Sequence, residues 1–130
     1  MAPKGYLYVP PACRAAGSAC RVHVALHGCK QEARSFALKA GYNEWAEHYR
    51  AIIVYPAIAP SVPVSAALCR LPALDGAVDA AWIEPNPNGC WDWWGYLDAA
   101  SDKGRSLTKQ APQIGVLTGI IAEVTAAASD

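Results

Sequence analysis

The sequence has no excess of charge of either sign. Its 130 residues include 11 Lys and Arg and 11 Asp and Glu, so the formal net charge is zero. A protein that binds nucleic acid or an anionic membrane surface by electrostatics usually carries a basic excess. The charge balance removes this argument, and we expect neither nucleic acid nor a membrane as a partner.

Long apolar runs are absent as well. No run approaches the roughly 20 apolar residues that a membrane-spanning helix needs. Residues 1–5 contain no apolar segment of a secretory signal, so we expect no signal peptide in this chain. Because 53% of the residues are nevertheless apolar, the composition predicts one compact globular domain.

A serine in the nucleophile-elbow pattern Gly-x-Ser-x-Gly is also missing. The nearest match surrounds Ser106, but Thr108 stands where the second glycine belongs, and a polar segment precedes it in place of a strand. An α/β-hydrolase needs this elbow to present its nucleophile. The residues of this chain therefore cannot assemble a hydrolytic triad by themselves.

The five cysteines form no Cys-x-x-Cys pair. This spacing argues against zinc ribbons and thioredoxin-like motifs, and we expect no metal and no other cofactor. Their number favours one or two disulfides plus an unpaired thiol, as in proteins of an oxidising compartment. Since that conflicts with the missing signal, the chain is expected to be part of a longer protein. The cysteines are Cys13, Cys20, Cys29, Cys69 and Cys90.

The order of elements predicts an α/β protein. The aromatic and β-branched run at 5–9 is typical of an edge strand. The segment 21–26 is so uniformly apolar that it is typical of a strand buried on both faces. Asn43 as an N-cap predicts a helix over 44–50, which leads into a second buried strand at 51–56. Strand, helix and strand together indicate a parallel βαβ unit.

The second half of the chain gives weaker signals. Residues 57–88 show little periodicity, and we expect a long loop with a short helical turn around 73–82. A last helix is predicted to begin near Pro112, because apolar residues then recur at helical spacing. These residues are Ile114, Leu117, Ile121 and Val124.

The strand at 21–26 runs directly into His27, Gly28 and Cys29. Ligands of open α/β sheets bind at the carboxyl ends of strands, so this turn is the first candidate site. In one interpretation the Cys29 backbone N–H donates to a developing oxyanion, and Gly28 lets the backbone approach a substrate closely. In a second, less favoured one, Cys29 is a thiolate nucleophile with His27 as its base, but no third residue orients that base.

Metal binding is the third interpretation of this region. His23 and His27 are four residues apart, but the His-Glu-x-x-His pattern is absent and the segment is predicted to be a strand. We therefore favour a purely structural role for His23, in the core or at a sheet edge. His48 is expected on the surface of its helix.

Tryptophan is concentrated in one segment. Trp91, Trp93 and Trp94 are three of the five tryptophans of the chain. Some of them are expected to pack around Cys90. Because side chains alternate along an extended segment, they cannot all face one core. One or two are thus candidates for an exposed platform that binds an apolar ligand or polymer.

Four segments carry a resemblance to a known family, and they occur in the order 5–10, 23–31, 40–46 and 86–96. Together they resemble the C-terminal portion of the circularly permuted (type 2) catalytic domain of extracellular poly(3-hydroxybutyrate) depolymerases. The resemblance implies a partial α/β-hydrolase fold, with a mostly parallel sheet and flanking helices. It implies one incomplete domain over 1–130, with a loop insertion at 57–85 where the family pattern is shorter.

The resemblance also implies an activity, hydrolysis of the ester bonds of short-chain polyhydroxyalkanoates by a serine esterase. In that family the nucleophile, the acidic residue and the catalytic histidine precede the region represented here. A second chain or a missing N-terminal half would then carry them, and the location would be extracellular or periplasmic.

Several residue roles follow from the resemblance alone. Cys29 would supply an oxyanion-hole N–H, and His27 and Gly28 would shape its turn. The disulfides would be Cys13–Cys20 and Cys29–Cys90, which leaves Cys69 free. The polyester would contact Trp91, Trp93, Trp94 and Tyr96. A non-catalytic polyester-binding module, a truncated remnant and a small disulfide-stabilised structural domain stay open as alternatives.

Overall fold

The structure, a computed structural model, describes residues 1–15, 17–61, 86–98 and 103–129. Within these ranges the chain forms a three-stranded mixed sheet and three α-helices. The predicted helical turn at 73–82, most of the loop insertion and Cys69 lie outside the described residues. No helix among them is both long and apolar enough to cross a membrane.

The sheet is built around its third strand in chain order. Strand β1 is Tyr6–Tyr8, β2 is Arg21–Val24 and β3 is Ala51–Tyr55, in the spatial order β1-β3-β2. Strand β3 runs antiparallel to β1 and parallel to β2. Because it has a neighbour on each side, residues 52–55 of β3 are all buried. The run of β-branched residues in β3 suits this central position.

The expectation that the strand at 21–26 is buried on both faces was wrong. Arg21 and His23 are exposed, and Val22 and Val24 are half-buried. The physical reason is that β2 has a single partner strand in the described part of the chain, so it forms an edge of the sheet. Apolar composition alone does not distinguish an edge strand from a central one.

Two helices connect β2 to β3, where the sequence predicted one. Helix α1, Ala33–Lys39, follows a cap that the sequence analysis missed. The Glu32 carboxylate accepts hydrogen bonds from the Arg34 N–H at 2.8 Å and the Ser35 N–H at 2.7 Å. Glutamate is not among the usual N-cap residues, so the start of this helix gave little signal. These two backbone hydrogen bonds lower the pKa of Glu32.

Helix α2, Tyr42–Tyr49, begins earlier than predicted, and Gly41 caps it with φ of 79°. Asn43 is therefore not the cap but a residue of the first turn. Its Nδ2 donates to the Ala37 carbonyl at 2.9 Å, and its Oδ1 accepts from the Tyr55 hydroxyl at 2.7 Å. This one side chain thus joins α1, α2 and β3.

The main core lies where α1 and α2 pack against the sheet. Three of its five buried members are alanines, whose small side chains let the helices approach the strands closely. Ile53 and Tyr55 of β3 supply the larger side chains. The cluster comprises Ala25, Ala37, Ala46, Ile53 and Tyr55.

Helix α3, Pro112–Ala127, begins at the predicted proline and contacts β2. The predicted apolar stripe is only partly covered. Leu117 is buried, whereas Ile114 and Ile121 are 39% and 37% exposed.

Candidate functional site

The turn after β2 is held by the side chain of His27, which is 2% exposed. Its Nε2 accepts a hydrogen bond from the Ile58 N–H at 3.1 Å, and Nδ1 lies 2.9 Å from the Gly28 carbonyl oxygen. Since Nε2 is an acceptor, the ring hydrogen resides on Nδ1 and points to that carbonyl. Both ring nitrogens are thereby engaged. His27 joins the loops that follow β2 and β3 and is not free to serve as a base.

Most of the backbone N–H groups of residues 28–31 donate a hydrogen bond within the protein. The Gly28 N–H donates to Gln31 Oε1 at 2.6 Å, the Lys30 N–H to the Asn88 carbonyl at 2.7 Å, and the Gln31 N–H to the Gly28 carbonyl at 3.2 Å. Only the Cys29 N–H, within this stretch, meets no acceptor in the described part of the chain. Among the described residues, the turn is thus a fixed frame around one N–H that has no acceptor.

Two backbone features make this frame possible. A Cβ on Gly28 would lie 3.1 Å from Gln31 Oε1, so glycine leaves room for that side chain to fold back on the turn. Lys30 adopts a φ of 63°, in the left-handed region that is unfavourable for a residue with a side chain. Its N–H bond to Asn88 holds the residue in this conformation.

A disulfide joins the turn to the tryptophan segment. Cys29 and Cys90 are bonded, as are Cys13 and Cys20, and these are the two pairs that the resemblance favours. The interpretation of Cys29 as a thiolate nucleophile with His27 as base was wrong for this structure. Its sulfur is in a disulfide and the histidine ring is fully engaged.

Asn86 organises the segment on the other side of this disulfide. The side chain is 1% exposed, and it accepts from the Cys90 N–H at 2.9 Å and donates to the Cys90 carbonyl at 2.8 Å. Its backbone forms a bridge with Ser61, whose N–H donates to the Asn86 carbonyl at 2.9 Å. Asn86 therefore fixes Cys90 through its side chain and pairs with Ser61 through its backbone.

Trp91, which is partly buried, and Tyr96, which is buried, each donate a hydrogen bond within the site. The Trp91 Nε1–H donates to the His27 carbonyl at 3.0 Å. Tyr96 is 6% exposed, and its hydroxyl donates to the Cys90 carbonyl at 3.1 Å and accepts from Gln113 Nε2 at 2.8 Å. Burial raises the pKa of Tyr96. Both residues thus hydrogen-bond to backbone carbonyl groups of the site, and their contact with a polyester stays a prediction from the resemblance.

Trp93 and Trp94 form an exposed aromatic pair. They are 68% and 37% exposed, and their rings meet edge to face with centroids 5.2 Å apart. The Asp92 carboxylate accepts from the N–H groups of Gly95 at 2.7 Å and Tyr96 at 2.9 Å, which folds the segment into a tight loop. The pair is therefore presented on a loop with fixed geometry.

The predicted histidines do not come together. His23 is exposed and lies 5.1 Å from the Tyr42 ring, while His27 is buried in the turn. His48 is exposed on α2, as expected for a surface residue of that helix. In the described ranges, no group of three or more His, Cys, Asp or Glu side chains could hold a metal ion.

Four residues that shape the site were not predicted from the sequence: Gln31, Asn86, Asp92 and Gln113. The sequence contains only weak signals for the roles of these four residues. Asn86 precedes a proline and Asp92 stands between tryptophans, which are contexts that favour turns. Gln31 hydrogen-bonds to the Gly28 backbone, and Gln113 to the Asp92 backbone and the Tyr96 hydroxyl. The partners of Gln113 come close to it only when the chain folds.

Comparison with known proteins identifies the class. The chain is 39% identical over 106 residues to a polyhydroxybutyrate depolymerase of Talaromyces funiculosus, with 76% of the chain covered. It is 32% identical over 130 residues to a poly(3-hydroxybutyrate) depolymerase of Delftia acidovorans, with 96% covered. Both relatives are named for breaking down a polyester. The chain belongs to the polyhydroxybutyrate depolymerase family, as the resemblance indicated.

The match is to a part of these relatives. The chain spans 27% of the length of the Talaromyces protein and 20% of the Delftia protein. No family model matches the sequence, and no solved structure is significantly similar to it.

Proposed function

We propose that this chain is one part of an α/β-hydrolase domain that cleaves ester bonds in poly(3-hydroxybutyrate) or a similar short-chain polyhydroxyalkanoate. In this proposal residues 1–130 form a single incomplete domain with a loop insertion at 57–85. The chain contributes an oxyanion donor and polymer-binding residues, and other polypeptide contributes the serine, acid and histidine. The observation that carries the proposal is the Cys29 N–H, which has no acceptor in the described part of the chain while the neighbouring N–H groups of the turn are hydrogen-bonded.

The chemistry of ester hydrolysis explains why such a donor matters. When a serine attacks the ester carbonyl, negative charge develops on its oxygen, and a fixed N–H stabilises that charge by about 3–4 kcal/mol. Hydrolases of this fold combine the N–H after the nucleophile with a second N–H from another loop. Cys29 would supply the second donor. His27 and Gly28 would hold it in place through the contacts already described.

The exposed tryptophan pair supports a polyester substrate. Trp93 and Trp94 offer flat apolar surface on a loop that the Cys29–Cys90 disulfide ties to the donor turn. The alkyl parts of a polyester can pack on such rings, which exclude water from the ester. The two disulfides fit an oxidising location, and we propose an extracellular or periplasmic one.

An activity assay tests the catalytic part of the proposal. The purified chain should not hydrolyse p-nitrophenyl butyrate, because it lacks an elbow serine. Robust turnover that a serine-directed inhibitor abolishes would show that the chain carries its own nucleophile, and the proposal would be wrong.

The second candidate function is a non-catalytic polyester-binding module, which the 68% exposure of Trp93 favours. Sedimentation with poly(3-hydroxybutyrate) granules measures binding by the chain alone. Trp93→Ala and Trp94→Ala should reduce bound protein several-fold, whereas Trp45→Ala, which removes a 60% exposed tryptophan from α2, serves as the matched control. An absence of binding by the unmodified chain would indicate a remnant.

A further inference from the structure

A cavity of about 540 Å³ adjoins the turn that holds the Cys29 N–H. Lys30 and Gln31, the two residues after Cys29, are part of its lining, and so is Gly89, the residue before Cys90. The cavity has the size that proteins commonly use to bind a small ligand. A ligand inside it would therefore lie next to the turn.

Hydrogen bonds hold the walls of this cavity together. The Ala2 N–H donates to the Ala57 carbonyl at 2.9 Å, which attaches the N-terminal segment to the loop after β3. That loop is tied to the turn, because the Ile58 N–H donates to His27 Nε2 at 3.1 Å. A Cβ on Gly89 would lie 3.3 Å from the Ile58 carbonyl oxygen, so glycine lets its segment pack closely on the same loop. The cavity is thus formed without a ligand.

Two lysines give the cavity a positive charge. Lys4 and Lys30 both line it, and among the residues that the structure describes neither ammonium group pairs with a carboxylate. The acidic residue in the described lining is Glu32. Its carboxylate already accepts two backbone N–H groups at the start of α1, at 2.8 Å and 2.7 Å. Two lysines and one glutamate leave one net positive charge, which favours an anionic ligand.

Two amide side chains add uncharged hydrogen-bond donors to the lining. Gln31 Oε1 accepts from the Gly28 N–H at 2.6 Å, so the group left for a ligand is the NH₂ of this side chain. The Asn88 side chain has no hydrogen bond within the described ranges, because the Lys30 N–H uses its backbone carbonyl. Ammonium and amide N–H groups together suit a carboxylate, which accepts hydrogen bonds and donates none.

We propose that this cavity binds the terminal carboxylate of a 3-hydroxybutyrate oligomer. The identity of the ligand rests on the proposed function. The ester groups along such a chain are uncharged and its hydroxyl end is neutral, so the carboxylate is its single anion. Lys4 and Lys30 therefore recognise one end of the chain and not its body. The alkyl part of the terminal unit packs on the Tyr6 ring, which is 41% exposed and also lines the cavity.

This placement sets the direction of a bound chain. Cys29 and Lys30 are consecutive residues, so their Cα atoms are about 3.8 Å apart. With the carboxylate at Lys30, the ester groups that precede it run toward the Cys29 N–H. An ester at this N–H then lies close to the carboxyl end of the chain. The cavity therefore favours short oligomers and carboxyl chain ends over the interior of a polymer.

Binding of a defined oligomer to the purified chain tests the assignment. The free acid of the (R)-3-hydroxybutyrate trimer is compared with its methyl ester, which has the same backbone and no charge. Titrations followed by NMR spectroscopy of the labelled chain report the dissociation constant and the residues that respond. We expect the acid to bind about fivefold more tightly than the ester, because each exposed ion pair contributes modestly. The largest shift changes should occur at Lys4, Lys30, Gln31 and Asn88.

Matched lysine variants locate the carboxylate. Lys4→Gln changes an exposed residue ahead of β1 and should lower the affinity for the acid about threefold. The double variant Lys4→Gln/Lys30→Gln should lower it to the affinity of the ester, and the affinity for the ester should not change. Lys30→Arg retains the charge and should bind the acid as the unmodified chain does. Lys109→Gln, which removes an exposed lysine outside the cavity, is the control.

The outcomes separate this inference from the proposed function, because binding requires no ester cleavage. Absence of binding, equal affinities for acid and ester, or an acid affinity unchanged in the double variant would overturn the carboxylate site and leave the esterase proposal intact. Displacement of the trimer by an equal concentration of inorganic phosphate would indicate a general anion site and would also overturn the inference. Charge-dependent binding by a chain that hydrolyses p-nitrophenyl butyrate with its own serine would support the site and contradict the proposed function.

Discussion

Replacing Asn86 with alanine should destabilise the fold substantially although the residue touches no expected substrate. The side chain is 1% exposed and makes two hydrogen bonds to the backbone of Cys90, at 2.9 Å and 2.8 Å. After truncation the Cys90 carbonyl keeps a partner, because the Tyr96 hydroxyl also donates to it. The Cys90 N–H would be left buried without an acceptor.

The magnitude follows from these contacts. A buried donor without a partner costs about 1–3 kcal/mol, and the lost bond to the carbonyl adds about 1 kcal/mol. We therefore expect Asn86→Ala to lower the free energy of unfolding by about 2–4 kcal/mol. Urea denaturation followed by tryptophan fluorescence, with the disulfides intact, measures this change.

The matched control is Asn88→Ala, two residues further along the same segment. Asn88 is exposed, and its bond to the Lys30 N–H uses the backbone carbonyl, which the substitution retains. This variant should change the free energy of unfolding by less than about 0.5 kcal/mol. Equal effects at positions 86 and 88 would refute the assignment of Asn86 as the residue that fixes Cys90.

Three further predictions concern residues around the turn. His27→Ala should lower the free energy of unfolding by about 1–3 kcal/mol, because the buried Ile58 N–H loses its acceptor, and urea denaturation checks this. Tyr96→Phe should cost about 1–2 kcal/mol through the lost bond with Gln113; an effect near zero would contradict the buried placement of the hydroxyl. The lowered pKa of Glu32 means that its ionised form stabilises the fold above the unfolded-state pKa, and that this contribution disappears as pH falls through the lowered folded-state pKa. NMR titration of the Glu32 carboxyl should give a midpoint below that of an unfolded peptide, and Glu32→Gln should weaken the acid dependence of stability.

The sequence predicted those parts of the fold whose signal is local. The β-branched run at 51–56 contains β3, and the proline at 112 marks the start of α3. Helix α1 was not predicted because its N-cap residue is a glutamate, which is rare at that position. The exposure of β2 was not predicted because the residues of β2 do not show whether another strand pairs with it.

The candidate site was predictable in composition but not in the roles of its residues. The His-Gly-Cys turn and the tryptophan segment stand out in the sequence, and the structure joins them through Cys29 and Cys90. Trp91 and Tyr96 donate hydrogen bonds to backbone carbonyl groups that folding brings close. Trp91 and His27 are 64 residues apart, so no local pattern reveals their bond, whereas Tyr96 and Cys90 are separated by 6 residues and the bond depends on the fold of that loop.

The bridge between Ser61 and Asn86 has a consequence for how a change of chain length between them would act. It closes the two ends of the intervening segment at a point that the buried Asn86 side chain ties to Cys90. The free energy of closing a loop grows slowly with its length, by about 0.6 kcal/mol for each doubling. Because Ser61 and Asn86 are paired, we expect residues inserted or removed between these positions to change the stability of the donor turn little.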